Sequence, residues 1–143
     1  MRERLPDWEE RLYAFIAGVR DRPFAWGAHD CILFACGAVA AMTGDDPARE
    51  YRGKYDSAKG AAEALRELGK GTLLKTVDSE FKRKPTNLAY RGDLIWLAGS
   101  VGVCMGATAL FVGEVRLAEK AGVLMREGLI AVDRTHWQKA WTV

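Results

Sequence analysis

The chain has 143 residues, 49% apolar and 28% charged, which excludes a disordered, collagen-like or fibrous polypeptide. One domain of this length buries roughly 70% of the surface exposed by its unfolded chain, so the core needs no staple. With 21 basic against 19 acidic side chains the formal charge is only +2, too balanced for a protein whose main partner is nucleic acid.

In chain order, Trp8 to Val19 reads as an amphipathic helix, with Asp7 as N-cap, Glu10 as its capping-box partner and Leu12, Phe15, Ile16 and Val19 as the buried stripe. Arg20 to His29 contains Pro23 and Gly27 and no helical period, so it is a loop that carries Phe24 and Trp26 toward the core. From Cys31 to about Thr43 the residues are almost all apolar or small, as in a helix packed on several sides. This is the expected central helix, capped by Gly44, with Gly37 permitting a close crossing. The run from Cys31 to Met42 falls well short of the ~20 residues that span a bilayer, so no membrane insertion is expected.

After a turn at Pro47, Asp56 or Ser57 can cap a helix through Ala61, Ala62, Leu65 and Leu68 to Gly69. A shorter helix is expected over Leu73 to Phe81, with Lys82-Arg83-Lys84 as its solvated end or a docking point for an acidic partner. Gly69-Lys70-Gly71-Thr72 lacks the rest of a phosphate loop and reads as a helix cap.

Pro85 closes a helical half of about residues 7–84. Over about residues 90–143 the pattern turns extended: Asp93 to Ala98, Val101 to Met105, Ala109 to Val112, Leu129 to Val132 and Ala140 to Val143 are short apolar or β-branched runs between glycines and polar turns. Glu114 to Glu127 reads as a helix or a long hairpin, and Trp137 and Trp141 as core aromatics or a partner anchor. Helices followed by strands give an α+β class, with the central cysteine-bearing helix packed on a C-terminal antiparallel sheet in one domain over residues 1–143.

The three cysteines, Cys31, Cys36 and Cys104, make neither an even disulfide set nor a metal pair, and Cys31 and Cys36 point apart on one helix. Reduced thiols and no metal or cofactor are expected. Acidic residues interrupt any apolar stretch near Arg2 and Arg4, so no secretory leader is read and synthesis in a cytoplasm is expected.

The sharpest local feature is Phe24-Ala-Trp-Gly-Ala-His-Asp-Cys31, an aromatic loop that delivers a thiol to a helix N-terminus. There the helix dipole lowers a thiol pKa, and the free N–H groups can serve as an oxyanion hole. The plain alternative is a small residue at the edge of the core.

These residues resemble the NlpC-type, papain-like cysteine peptidases of the cell wall. In that family an aromatic-x-Trp-Gly-Gly loop leads into Asp-Cys-Ser-Gly, then a Gly-Asp strand, then a strand opening with His-Val-Gly. Here Phe24, Trp26 and Gly27 stand for the first element, Asp30 and Cys31 for the second, Gly92 and Asp93 for the third, and Ser100-Val101-Gly102 for the fourth.

The resemblance implies that Cys31 is a vestigial nucleophile and that Ser100 occupies the seat of a lost general base. A serine hydroxyl does not accept a thiol proton near neutral pH. Phe24 and Ile32 replace the family's tyrosine and serine as well. Of the two histidines, His29 is a weak alternative base and His136 a weaker one. Asp93 is expected to turn the chain into the first strand, with Trp96 on the central helix.

The same resemblance implies a small structural or assembly protein at the tail tip or baseplate hub of a long-tailed bacteriophage. It would contact hub and distal-tail proteins. The competing expectation is an active endopeptidase acting on peptidoglycan stem peptides during DNA entry, and a third is a stand-alone bacterial domain of other role.

Overall fold

A computed structural model describes residues 2–143, and it is mixed α+β: five α-helices and one six-stranded sheet, antiparallel throughout. Helix α1 (Trp8–Val19) and helix α2 (Cys31–Thr43) cover one face of the sheet. Leu12 and Ile16 of α1 are buried, and Phe15 stacks on Phe34 of α2 with ring centroids 5.9 Å apart. A Cβ on Gly37 would come within 2.6 Å of the Phe15 ring, so glycine at that position lets the two helices cross closely.

Asp7 precedes α1 but makes no side-chain cap. Its carboxylate instead accepts from Arg11 Nε at 2.8 Å, and that guanidinium holds the carboxyl below its usual range. The expected capping box is thus replaced by an ion pair one turn into the helix. Helix α2 has a side-chain cap, with Asp30 accepting from the Leu33 N–H at 3.0 Å, and it ends at Gly44 in a left-handed conformation.

Helix α3 (Ala58–Leu68) starts at the Ser57 cap, and helix α4 (Leu73–Glu80) at the Thr72 cap; the glycine-rich turn between them holds helix ends and no phosphate-loop helix. The Lys82-Arg83-Lys84 run is not a helix end. It forms strand β1 (Lys82–Lys84), paired with strand β6 (Lys139–Thr142) at the sheet edge. Arg83 is held by Asp78 and lies over the Trp141 ring, so tertiary partners fix the strand where a charged tripeptide alone has little preference for one.

The remaining strands are β2 (Leu94–Leu97), β3 (Ser100–Cys104), β4 (Thr108–Val112) and β5 (Leu129–Asp133), in the sheet order β1-β6-β2-β3-β4-β5. Between β4 and β5 the chain forms helix α5 (Val115–Ala121) and then a loop, so the segment is a short helix and not a hairpin.

Strand alternation splits the core in two. Leu94, Val101, Val103 and Val112 face α1 and α2, whereas Ile95, Leu97, Phe111 and Val132 face α5 and Trp137. Both C-terminal tryptophans are buried: Trp137 Nε1 donates to the Val132 carbonyl and Trp141 Nε1 to Asp78. Trp96 is half-buried, edge-on to Trp141, and packed against the core cluster that includes α2.

Asp93 is fully buried at the turn into β2. It accepts from the backbone N–H groups of Tyr90 and Val143, from Lys84 Nζ at 2.5 Å and from Arg4 at 3.3 Å. One carboxylate therefore joins the segment before α1, strand β1, the turn before β2 and the residue after β6. The neighbouring Gly92 donates its N–H to the Cys104 carbonyl and closes the same turn. No helix among the described residues is long and apolar enough to cross a membrane.

Candidate functional site

Cys31 opens α2 at the mouth of a cleft of about 270 Å³. The loop before α2 supplies Phe24 and Trp26, β3 supplies Ser100, and the residues around the start of α5 supply Glu114 and Arg116. The floor comes from α3, where Ala58, Ala61, Ala62 and Leu65 recur at helical spacing. This apolar stripe walls the cleft instead of entering the main core; of α3 only Ala64 is buried. Ile32, Leu65 and Leu73 also bound a tight apolar pocket of about 40 Å³ behind the cleft, lined further by Cys36 and Val77.

The loop that presents the thiol is held by Asp30, which is buried and accepts three hydrogen bonds: Gly27 N–H at 3.1 Å, Leu33 N–H at 3.0 Å and the Tyr55 hydroxyl at 2.5 Å. All three donors are neutral. Gly27 has φ +76°, and a Cβ there would fall 1.8 Å from the Tyr55 carbonyl oxygen, so only glycine fits against the 51–55 segment. The Gly27 carbonyl accepts from the Gly53 N–H at 2.9 Å, a second tie between the same segments. Trp26 does not go into the core. It is 40% exposed and sits edge-on to Phe24 at 4.8 Å, because Phe24 alone takes the place against the core and leaves the indole on the cleft wall.

The thiol itself departs from the sequence-based expectation. Burial pushes Cys31 up to about 11, although the Val101 N–H and the Ser100 hydroxyl face the sulfur and pull the other way. Asp30 and, more weakly, Glu114 add negative charge that also opposes the thiolate. Desolvation is the largest of these causes, and it favours the neutral thiol. Burial raises Cys36 and Cys104 as well, and all three cysteines are free.

The fold brings Ser100 to the sulfur, at the seat the resemblance assigns to the base. It does not bring a histidine there: among the described residues, no imidazole lines the cleft. His29 is only 2% exposed. Its backbone bridges to Ala25, its ring stands edge-on to Phe34 at 6.0 Å, and its Nε2 has no hydrogen-bond partner. Desolvation, reinforced by the charge of Arg22 and opposed by that of Asp30, lowers its pKa. His136 is exposed in the turn after β5. Asp93 lies in the clasp described above and does not line the cleft.

Three residues of the cleft went unnoticed in the sequence. Tyr55 acts through Asp30, 25 residues earlier, and no local pattern announces that pairing. Glu114 and Arg116 flank the start of α5; Glu114 is half-buried, and desolvation pushes its carboxyl up against the opposing charge of Arg116. The switch from apolar strand to charged residues after Gly113 was the one available signal. No cluster of three or more histidine, cysteine, aspartate or glutamate side chains among the described residues could hold a metal ion.

The fold and the site together define an α+β domain with a thiol-bearing cleft between helix and sheet. The chain belongs to the family described as a domain of unknown function, DUF6950, which matches residues 3–143. No curated protein and no solved structure matches it.

Proposed function

We propose that this domain is a degenerate NlpC-type, papain-like fold serving as a structural or assembly component of a long-tailed bacteriophage tail tip or baseplate hub. The observation that carries the loss of chemistry is the pairing of Cys31 with Ser100 in a cleft that, among the described residues, no histidine lines. A cysteine nucleophile needs a thiolate or an adjacent base. Here the thiol is pushed up to about 11, and the facing hydroxyl donates but does not take the proton. Loss of a general base is commonly worth ~10²–10⁴ in rate, and groups that act as a unit lose nearly all their joint contribution together.

The fold class is supported by the order of elements: an aromatic loop, Asp30-Cys31 at the head of a buried helix, Gly92-Asp93 entering one strand and Ser100-Val101-Gly102 opening the next. The tail-tip assignment rests on the sequence resemblance. Hub and distal-tail proteins are its proposed partners, and the virion tail tip its proposed place after synthesis in the host cytoplasm.

Two measurements test this reading. Peptidoglycan incubated with the wild-type protein and with Cys31→Ala should release no thiol-dependent muropeptides; such release would establish the active endopeptidase instead. Tail-tip fractions of purified virions should contain the protein, and its absence there would remove the assembly role.

A further inference from the structure

A second cavity, of about 480 Å³, opens between the first turn of α1 and the turn before β2, and it shares no lining residue with the thiol cleft. Trp8 and Tyr90 line it with aromatic rings, and Glu9, Arg91 and Arg134 supply its charge. Arg4 stacks on both rings, 4.2 Å from the Trp8 centroid and 4.9 Å from that of Tyr90. Lys84 also stands over the Tyr90 ring, and these two cations share Asp93.

The cations of this region outnumber the carboxylates that meet them. Arg134 makes no ion pair among the described residues. Its guanidinium donates to three backbone carbonyls, those of Gly106 at 2.6 Å, Ala89 at 2.9 Å and Thr86 at 3.1 Å, which fix the charge without neutralising it. The adjacent Asp133 accepts from the Thr135 N–H instead. Arg91 has Glu9 on its Nη1 at 3.2 Å, but both side chains of that pair are exposed, so water screens it.

The Nε of Arg91 is buried and has no hydrogen-bond partner. In Arg52 and Arg83 the Nε and Nη2 donors grip one carboxylate side-on, that of Asp46 and of Asp78 respectively. Arg91 lacks such a partner at Nε, and the cavity it lines holds a second fixed cation.

We infer that this cavity binds an oxyanion, a carboxylate or phosphate group carried by a small ligand, between Arg91 and Arg134. Arg91 turns its Nε and Nη2 edge to the anion, as Arg52 and Arg83 do within the chain. Arg134 supplies a charge already held in place, and Trp8 and Tyr90 flank the body of the ligand. Glu9 competes for the Arg91 guanidinium. The inference uses no residue of the thiol cleft and stands apart from the tail-tip reading.

Titration of the full chain with sodium phosphate and, separately, sodium benzoate tests it, with ionic strength held constant by sodium chloride. In isotope-labelled protein the Arg91 Nε–H and Trp8 indole N–H resonances should shift and saturate in at least one arm, and the tighter arm identifies the group. Arg91→Gln should weaken that binding by about tenfold or more, the loss of a charge-assisted contact. Glu9→Gln, at an exposed position, should strengthen it several-fold by removing the competing carboxylate.

No saturable shift with either anion, or shifts reproduced by sodium chloride alone, would overturn the proposal. So would binding that ignores Arg91→Gln or that Glu9→Gln fails to strengthen.

Discussion

Two buried aspartates, each at the entry to a core element, are satisfied in opposite ways. Asp30, before α2, is surrounded by neutral donors: two backbone N–H groups and a phenol. Asp93, before β2, receives two cations and two backbone N–H groups drawn from four parts of the chain. Neutral donors at Asp30 fix a loop without adding positive charge beside the thiol, so the cleft stays unfavourable to a thiolate. Cations at Asp93 hold distant segments together, and none of them lines the cleft. The carboxylate that ties distant segments together is thus not the one that presents the thiol.

The largest effect is expected at the charged clasp. Asp93→Ala leaves Arg4 and Lys84 largely buried without a counter-charge, and should cost about 3–5 kcal/mol in denaturant unfolding. A loss below about 1 kcal/mol, the size of an exposed pair, would show that the clasp is not a fastening. At the neutral site, Asp30→Ala removes a helix cap worth about 1 kcal/mol and orphans two further donors, so an intermediate loss is expected. It should be accompanied by faster hydrogen exchange at Gly27 and Leu33. Equal losses for Asp93→Ala and Asp30→Ala would erase the contrast. Tyr55→Phe removes one hydrogen bond to a charged acceptor and should cost about 1.5–3 kcal/mol at most, while Asp30 keeps both backbone donors.

The smallest effect is a pH dependence. His29 is buried with Nε2 unpartnered, and its pKa is lowered on folding. The folded state thus binds fewer protons than the unfolded one on the acid side. The stability this contributes is present above the ordinary histidine range near pH 6.5 and is lost as pH falls through the lowered value. His29→Phe should flatten that slope between neutral and mildly acid pH, and an unchanged slope would assign it to other groups. Cys31 and Cys36 act in the opposite direction: raised thiols favour the folded state below the unfolded thiol range, and that contribution is lost as pH rises through alkaline values.

The elements most legible in the sequence are those with local causes. Trp8–Val19 and Cys31–Thr43 announce themselves by apolar period and composition, Gly44 by its cap position, and the strands after Leu94 by short apolar runs between turns. Strand β1 does not, because three consecutive cations become a strand only through pairing with β6, close to the other end of the chain. Tyr55 gains its role from Asp30 across the fold, and Trp26 turns outward because Phe24 takes the core place. The direction of the Cys31 shift was hidden for the same reason. A helix N-terminus is visible in sequence, but desolvation depends on what the fold packs around the sulfur, and it is the largest cause of the raised value.

We propose that the cleft keeps the position of a thiol nucleophile without its activation. Peptide-resolved alkylation of the folded protein across a pH series measures this directly, because Cys31, Cys36 and Cys104 are read separately. The account predicts that Cys31 titrates near its raised value of about 11 and reacts slowly at neutral pH. A thiolate already formed at pH 7 would contradict it and place an activated nucleophile in the cleft.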